Sequence, residues 1–318
     1  MQAAHSRAAC FATLLPAPMN MRRFLPRSVA ALLALTALAA SATLAQAQTY
    51  TVNFTTPWKE GQTFQSDIKA SQKTRMVVSQ GTQVLQQQVL EDTVASLKAD
   101  AKALTFFPHG GLRKVSYTVR SLRVSLKNGP ETDYLPAGTQ IVVETIGFDV
   151  KSYFINDKVA TEEQKKVLKL VTSSDEADYN DQTIFGPAKP VGLSETWQPA
   201  LEKMKAALSK ELGEIPSATG EMKLEAITGT GDKQVAVVSG KIVLSGFAPP
   251  LPPGITAKSG TFQMELDGRI PATRTGSKRV ENSKITAHFV GETKIPTGAL
   301  VSLTMISEIT TASTLTFP

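Results

Sequence analysis

Thr161-Glu162-Glu163-Gln164-Lys165-Lys166-Val167-Leu168-Lys169-Leu170-Val171 opens the stretch around which the chain is organised, residues 161–213. Its first four residues have the form of a capping box. The Thr161 hydroxyl is placed to accept from the Gln164 N–H, and the Gln164 side chain to reach back to the N–H of Thr161. Val167, Leu168 and Val171 follow at helical spacing, with glutamates in the first turn and lysines later, as the helix dipole favours. A second helix is expected to start at Pro199, where a missing N–H costs nothing. Leu201, Met204, Leu208 and Leu212 give it one apolar stripe, and Gly213 and Pro216 end it. Both stripes are narrow, so each helix needs a larger surface to lie on, and a β-sheet is the expected one.

Two features separate these helices. Asp175, Glu176, Asp178 and Asp181 form an acidic run that lacks the ligand spacing, sixth-position glycine and late glutamate of a calcium loop, and is expected to be a solvated loop. Pro187-Ala188-Lys189-Pro190-Val191-Gly192-Leu193-Ser194-Glu195-Thr196-Trp197 must take an irregular path and ends in a tryptophan suited to burial on the sheet.

On both sides the chain reads as strand. Tyr50, Val52 and Phe54 alternate, as do Val115, Tyr117 and Val119. Leu122, Val124 and Leu126 alternate in the opposite phase, which is what a β-bulge inside one long strand produces. The later half is more regular. Met222, Leu224 and Ala226 precede a turn at Gly229–Asp232, then come Val235 and Val237, then Ile242 and Leu244. Phe262, Met264 and Leu266 lead to an expected strand end at Asp267-Gly268, and Ile285 to Phe289 and Val301 to Met305 complete an antiparallel meander. Ser302, Thr304, Thr286 and His288 point to one wet face.

Residues 1–47 are read as targeting sequence rather than fold. Met21-Arg22-Arg23 to Arg27 is a basic n-region, Val29–Ala40 an apolar h-region, and Ala45-Gln46-Ala47 a small-x-small cleavage site leaving Gln48 first. Residues 1–20 read as an upstream extension, with Met1, Met19 and Met21 as possible starts. The only cysteine, Cys10, precedes the h-region, so no lipoprotein signal is expected. The full chain has 34 basic and 28 acidic residues, net +6. Setting aside the four arginines of residues 1–47, which hold no acid, leaves 30 against 28, or +2. That balance removes the main support for a nucleic-acid partner. No transmembrane segment is expected after cleavage.

The segment order Tyr50-Thr51-Val52-Asn53-Phe54, Lys59-Glu60-Gly61-Gln62-Thr63-Phe64, Pro187 to Trp197, and Ser259-Gly260-Thr261-Phe262-Gln263-Met264-Glu265-Leu266-Asp267 resembles a family of exported bacterial β-rich proteins known only as a domain of unknown function. Its members carry a lysine-x-glycine-x-x-aromatic turn, a proline-lysine-proline-valine-x-x-glycine-x-x-tryptophan segment and a late glycine-x-aromatic strand. Here Gly192 stands closer to Pro190 and five residues before Trp197. The resemblance spans nearly all of residues 48–318 and implies no catalytic residues. A looser similarity, of element order alone, is to periplasmic lipoprotein carriers, in which helices close a curved antiparallel sheet.

No reaction motif stands out. Beyond residue 47 there are two histidines, His109 and His288, and no cysteine, so cysteine-based catalysis and cysteine metal sites are excluded. His109 lies in a Pro-His-Gly-Gly turn and is expected to be exposed. Ser66-Asp67-Ile68-Lys69 fits Ser-x-x-Lys, but its neighbours read as strand, which separates the two groups. There is no nucleophile elbow, Walker loop or dinucleotide fingerprint. Pro249-Pro250-Leu251-Pro252-Pro253-Gly254 reads as a stiff connection between strands.

The expected fold is mainly β (α+β): a curved antiparallel sheet, or sheets, in two halves, residues 48–160 and 214–318, with two helices in the central segment 161–213 packed on it. The expected role is that of a periplasmic or secreted, non-enzymatic envelope protein without cofactor or metal. It would bind or shield an apolar small molecule or lipid in a groove lined by Phe262, Met264, Val301 and Leu303 and covered by Leu201, Met204 and Leu208. Residues of this kind more often simply pack as plain hydrophobic core. The alternatives are a structural or interaction protein of the envelope, using exposed strand edges or the proline-rich loop, and a secreted hydrolase built on paired carboxylates.

Overall fold

The computed structural model describes residues 48–318 apart from 56–57, 148–149, 176–179, 252–253 and 296. The expected signal sequence, Glu176 and Asp178 of the acidic run, and Pro252-Pro253 lie outside the described residues.

The chain enters as β1 (Thr49–Tyr50). The alternation expected to make a longer strand there instead drives Val52 and Phe54 into the core without a ladder. β2 (Thr63–Gln80) and β3 (Gln83–Phe106) form a long hairpin turning at Gly81, whose φ of 57° suits a residue without a Cβ. β4 (Leu112–Leu126), β5 (Thr132–Leu135), β6 (Gln140–Gly147), β7 (Val150–Ile155) and β8 (Lys158–Val159) follow. In β4 the expected phase change is a bulge. Ala99 pairs with Val119 and Lys98 with Ser121, so Arg120 is the extra residue, and both Val119 and Leu122 face the core.

Helix α1 (Glu162–Val171) has the capping box on Thr161 and Gln164, with both hydrogen bonds formed. A short helix that the sequence did not suggest, α2 (Asp181–Phe185), starts at the end of the acidic run and is capped by Asn180. Strands β9 (Val191–Gly192) and β10 (Thr196–Trp197) precede α3 (Leu201–Leu212), which begins two residues after the expected Pro199. The meander is β11 (Ser217–Thr228), β12 (Val235–Phe247), β13 (Thr256–Pro271), β14 (Lys278–Lys294) and β15 (Leu300–Thr316). β13 runs through Asp267-Gly268 to Pro271, since Gly268 is held between Val238 and Glu281 rather than turning.

β1 pairs with β9, and the other strands form one antiparallel sheet in the order β10-β11-β12-β13-β14-β15-β2-β3-β4-β6-β7-β8, with β5 against β4. The sheet is open and uncurled. Its centre is the β15–β2 pairing, Ser302 with Ser79 through Thr316 with Gln65, which joins the early and late strands into one ladder.

The three helices of the described residues lie on one face. Under α1 that face is built from Ala95, Leu97, Ala99, Ala101 and Ala103 of β3 with Phe64 and Ile68 of β2, all nearly inaccessible. Alternation with Lys98, Asp100 and Lys102 puts the charges on the opposite, wet face, where Arg120 pairs with Asp100. Small alanines let Val167, Leu168 and Val171 seat close to the strands. Ser66 faces this core and Lys69 the wet side, so the Ser-x-x-Lys pair is not assembled.

Candidate functional site

Helix α3 meets the sheet unevenly. Its start sits on β11, where a Cβ on Gly220 would come within 3.1 Å of Leu201 Cδ2 and Pro199 Cγ, so the glycine is what permits the close approach. Leu201 and Met204 are buried there with Ile242, Leu244 and Phe247. On the far side stand Phe262 and Met264 of β13 and Ile285 of β14, whose bulk keeps the helix away from the strands. The gap is a cavity of about 270 Å³ walled by Ile184, Phe185, Met204, Ala207, Leu208, Phe262, Met264 and Ile285, with the Asp181 carboxylate as its charged side chain.

Four of the expected site residues, Met204, Leu208, Phe262 and Met264, therefore line one cavity. Leu201 belongs to the packed core beside it. Val301 and Leu303 line neither this cavity nor the one next to it: Val301 is 2% exposed, and both lie toward the opposite end of the sheet from Thr316. The expectation failed for these two because alternation places them on the correct face but says nothing of position along a 17-residue strand. Ile184, Phe185 and Ile285 were missed; α2, which carries two of them, has no periodic stripe to announce it.

A second cavity, of about 250 Å³, lies on the other side of Phe185 and Met264. Ile68, Leu266 and Leu315 form its apolar floor. Thr172, Ser173, Ser283, Thr311 and Ser313 bring hydroxyls to it, and Asp181 and Glu281 bring carboxylates.

These carboxylates are tied to Arg279, an inward-facing arginine of β14. Its guanidinium donates to Phe54 O (2.8 Å), to Asp181 Oδ2 (3.0 Å) and to Glu281 Oε1 (2.8 Å from Nε). Three parts of the chain that meet nowhere in the sequence are thus joined by one side chain. Burial pulls the Arg279 pKa down, but Glu281 and Asp181 outweigh it, so the group is held above its usual range. Glu281 is pushed up by burial against the pull of Arg279. Two acids thus lie in one cleft, as the hydrolase alternative requires, and both are engaged by the same cation.

Asp175 departs from the solvated loop expected of the acidic run. Asp175 closes a two-way bridge with Leu112: its N–H donates to Leu112 O (2.8 Å) and its carboxylate accepts from the Leu112 N–H. Burial pushes this carboxyl up, with Asp181 adding to it and the Leu112 N–H opposing. The run looked solvated because its sequence reveals its charges and not the free end of β4 that consumes one of them. His109 also differs from expectation. It is half-buried, stacks on Phe107, accepts at Nδ1 from the Gly111 N–H (3.1 Å) and lies 3.4 Å from Asn180 Nδ2. Trp197 is half-buried and donates from Nε1 to Phe185 O (2.7 Å), which steadies α2 at the cavity wall. Nearby, Arg274 lies 3.4 Å over the Trp58 ring, its pKa pushed down to about 9 by burial and by Arg279.

Among the described residues, no group of three or more His, Cys, Asp or Glu side chains is arranged to hold a metal ion, and no helix is long and apolar enough to cross a membrane. Comparison with known proteins finds no family model that matches the chain and no curated protein similar to it.

Proposed function

We propose that this is a non-enzymatic, exported envelope protein that binds or shields an apolar ligand with a small polar head, such as a lipid. The observation that carries the reading is the cavity under α3. Met204, Leu208, Phe262 and Met264 converge on it from a helix and a strand more than 50 residues apart, and its size is close to the lower bound of small-molecule sites, about 300 Å³. An apolar chain would lie between α3 and β13. Its head would fall past Phe185 among the hydroxyls of Ser283, Thr311 and Ser313. Asp181 and Glu281 against the single Arg279 disfavour an anionic head, so a neutral or cationic one is the chemical match. Export is proposed on the segment 21–47. Membership of the exported β-rich family is proposed on the segments quoted for it.

The test is native mass spectrometry of protein exported from its own signal, with organic extraction of what co-purifies, alongside titration with a fluorescent fatty alcohol. Leu208→Glu should abolish both the adduct and the fluorescence gain while the far-ultraviolet circular dichroism stays unchanged. An apo mass together with no probe binding by the unaltered protein would sink the proposal.

A further inference from the structure

Residues Gln83–Leu90 of β3 read Gln-Val-Leu-Gln-Gln-Gln-Val-Leu, and all eight are exposed. β2 pairs with one side of this run. β4 reaches only as far as the Thr93–Leu126 pair, so among the described residues no strand pairs with the other side. The run carries no charge, proline or glycine. Its four aliphatic residues, Val84, Leu85, Val89 and Leu90, are between 43% and 58% exposed. A row of unpaired N–H and C=O groups with such side chains is a template for another strand, and proteins normally blunt such edges with lysine or proline. Neither occurs between Gln83 and Leu90. Bulges at Leu85 and Leu90 bracket a regular run, Gln86–Val89.

The sequence itself selects the partner. Set antiparallel to a second copy about a two-fold axis at Gln87, Gln86 faces Gln88, Leu85 faces Val89, Val84 faces Leu90, and Gln83 faces Glu91. Amide meets amide, apolar meets apolar, and no like charges oppose. A shift of one residue in either direction sets a glutamine against Val89 or Leu85, so the register is specified.

We propose that the free edge of β3 is the contact between two copies of this chain, in an antiparallel dimer that continues the sheet across a two-fold axis at Gln87. The inference is independent of the ligand-binding reading. The contact is isologous and uses the same edge of both copies, so it closes at two. The outermost strands of the sheet, β8 and β10, are only two residues long.

Facing residues of an antiparallel pair have Cα atoms about 4.5–5.5 Å apart, within reach of a disulfide. In the full chain carrying Cys10→Ser, Gln87→Cys should therefore form a disulfide-linked dimer under mild oxidation. Leu193→Cys, at an exposed site elsewhere, should not. By analytical ultracentrifugation the unaltered chain should be dimeric, and Gln87→Lys should weaken the dimer by about tenfold or more because the two new charges meet on the axis. Gln86→Lys with Gln88→Glu in the otherwise unaltered chain should leave the dimer intact, since each new lysine then faces a new glutamate. A monomer at every soluble concentration would overturn the proposal. So would crosslinking at 87 no faster than at 193, a dimer indifferent to Gln87→Lys, or open-ended oligomers.

Discussion

Helix α1 on β2 and β3 and helix α3 on β11 to β13 are the same construction with different fillings. Under α1 the strand presents alanine at alternate positions, the helix settles, and the interface is sealed. Under α3 a glycine lets one edge of the helix down, while Phe262, Met264 and Ile285 hold the other edge up. A single straight helix cannot touch both a glycine and a phenylalanine row at once, so a gap opens along the bulky side. Side-chain size on adjacent strands thus decides whether such an interface is structural or receptive.

The strongest challenge to this contrast is to untie α2, which divides the two cavities. Arg279→Ala should leave Asp181 and Glu281 together without their cation and cost about 3 kcal/mol by urea unfolding, the lower part of the range for broken buried pairs because Asp181 is half exposed. If the loss is under about 1 kcal/mol, Arg279 is not what holds α2.

That network was beyond sequence reading, whereas much around it was not. The capping box at Thr161, the stripe of α3, the bulge at Arg120 and the meander were all legible, because each is set by residues within one element. Arg279 and Glu281 could have been noticed as charges on the same strand face as Ile285, but Phe54 and Asp181, their partners, lie 225 and 98 residues from Arg279. Cavities are harder still, since they depend on the difference between two packed surfaces rather than on the character of either.

A smaller effect would sharpen the contrast by its sign. Ala99→Leu on the sealed side should overpack and destabilise by about 1–3 kcal/mol. Ala207→Leu, on the α3 side, has room to enter and should stabilise by up to about 1 kcal/mol while blocking the ligand probe. Equal penalties at the two positions would mean that both interfaces are equally filled.

The smallest effect concerns Asp175. Its carboxyl is raised in the folded state, so between the ordinary carboxylate pKa and the raised one the folded chain holds a proton that the unfolded chain has lost. Stability from this group therefore falls as pH rises through that window. Asp175→Asn keeps an acceptor for the Leu112 N–H and should be slightly more stable than the parent at neutral pH. The gain should disappear in acid, below the ordinary carboxylate pKa. Chemical denaturation at paired pH values checks the sign.

The position of β15 also sets a timetable. It is the last of the described strands and stands in the middle of the sheet, bonded to β14 on one side and to β2, some 220 to 250 residues earlier, on the other. Until its residues are available, β2 and β14 each present a long bare flank, and nothing in the ladder links the two half-sheets. Long-range pairing of this kind is slow to form. Without β15 the chain holds two unfinished halves, and the docking of that strand is the step that permits the whole to lock.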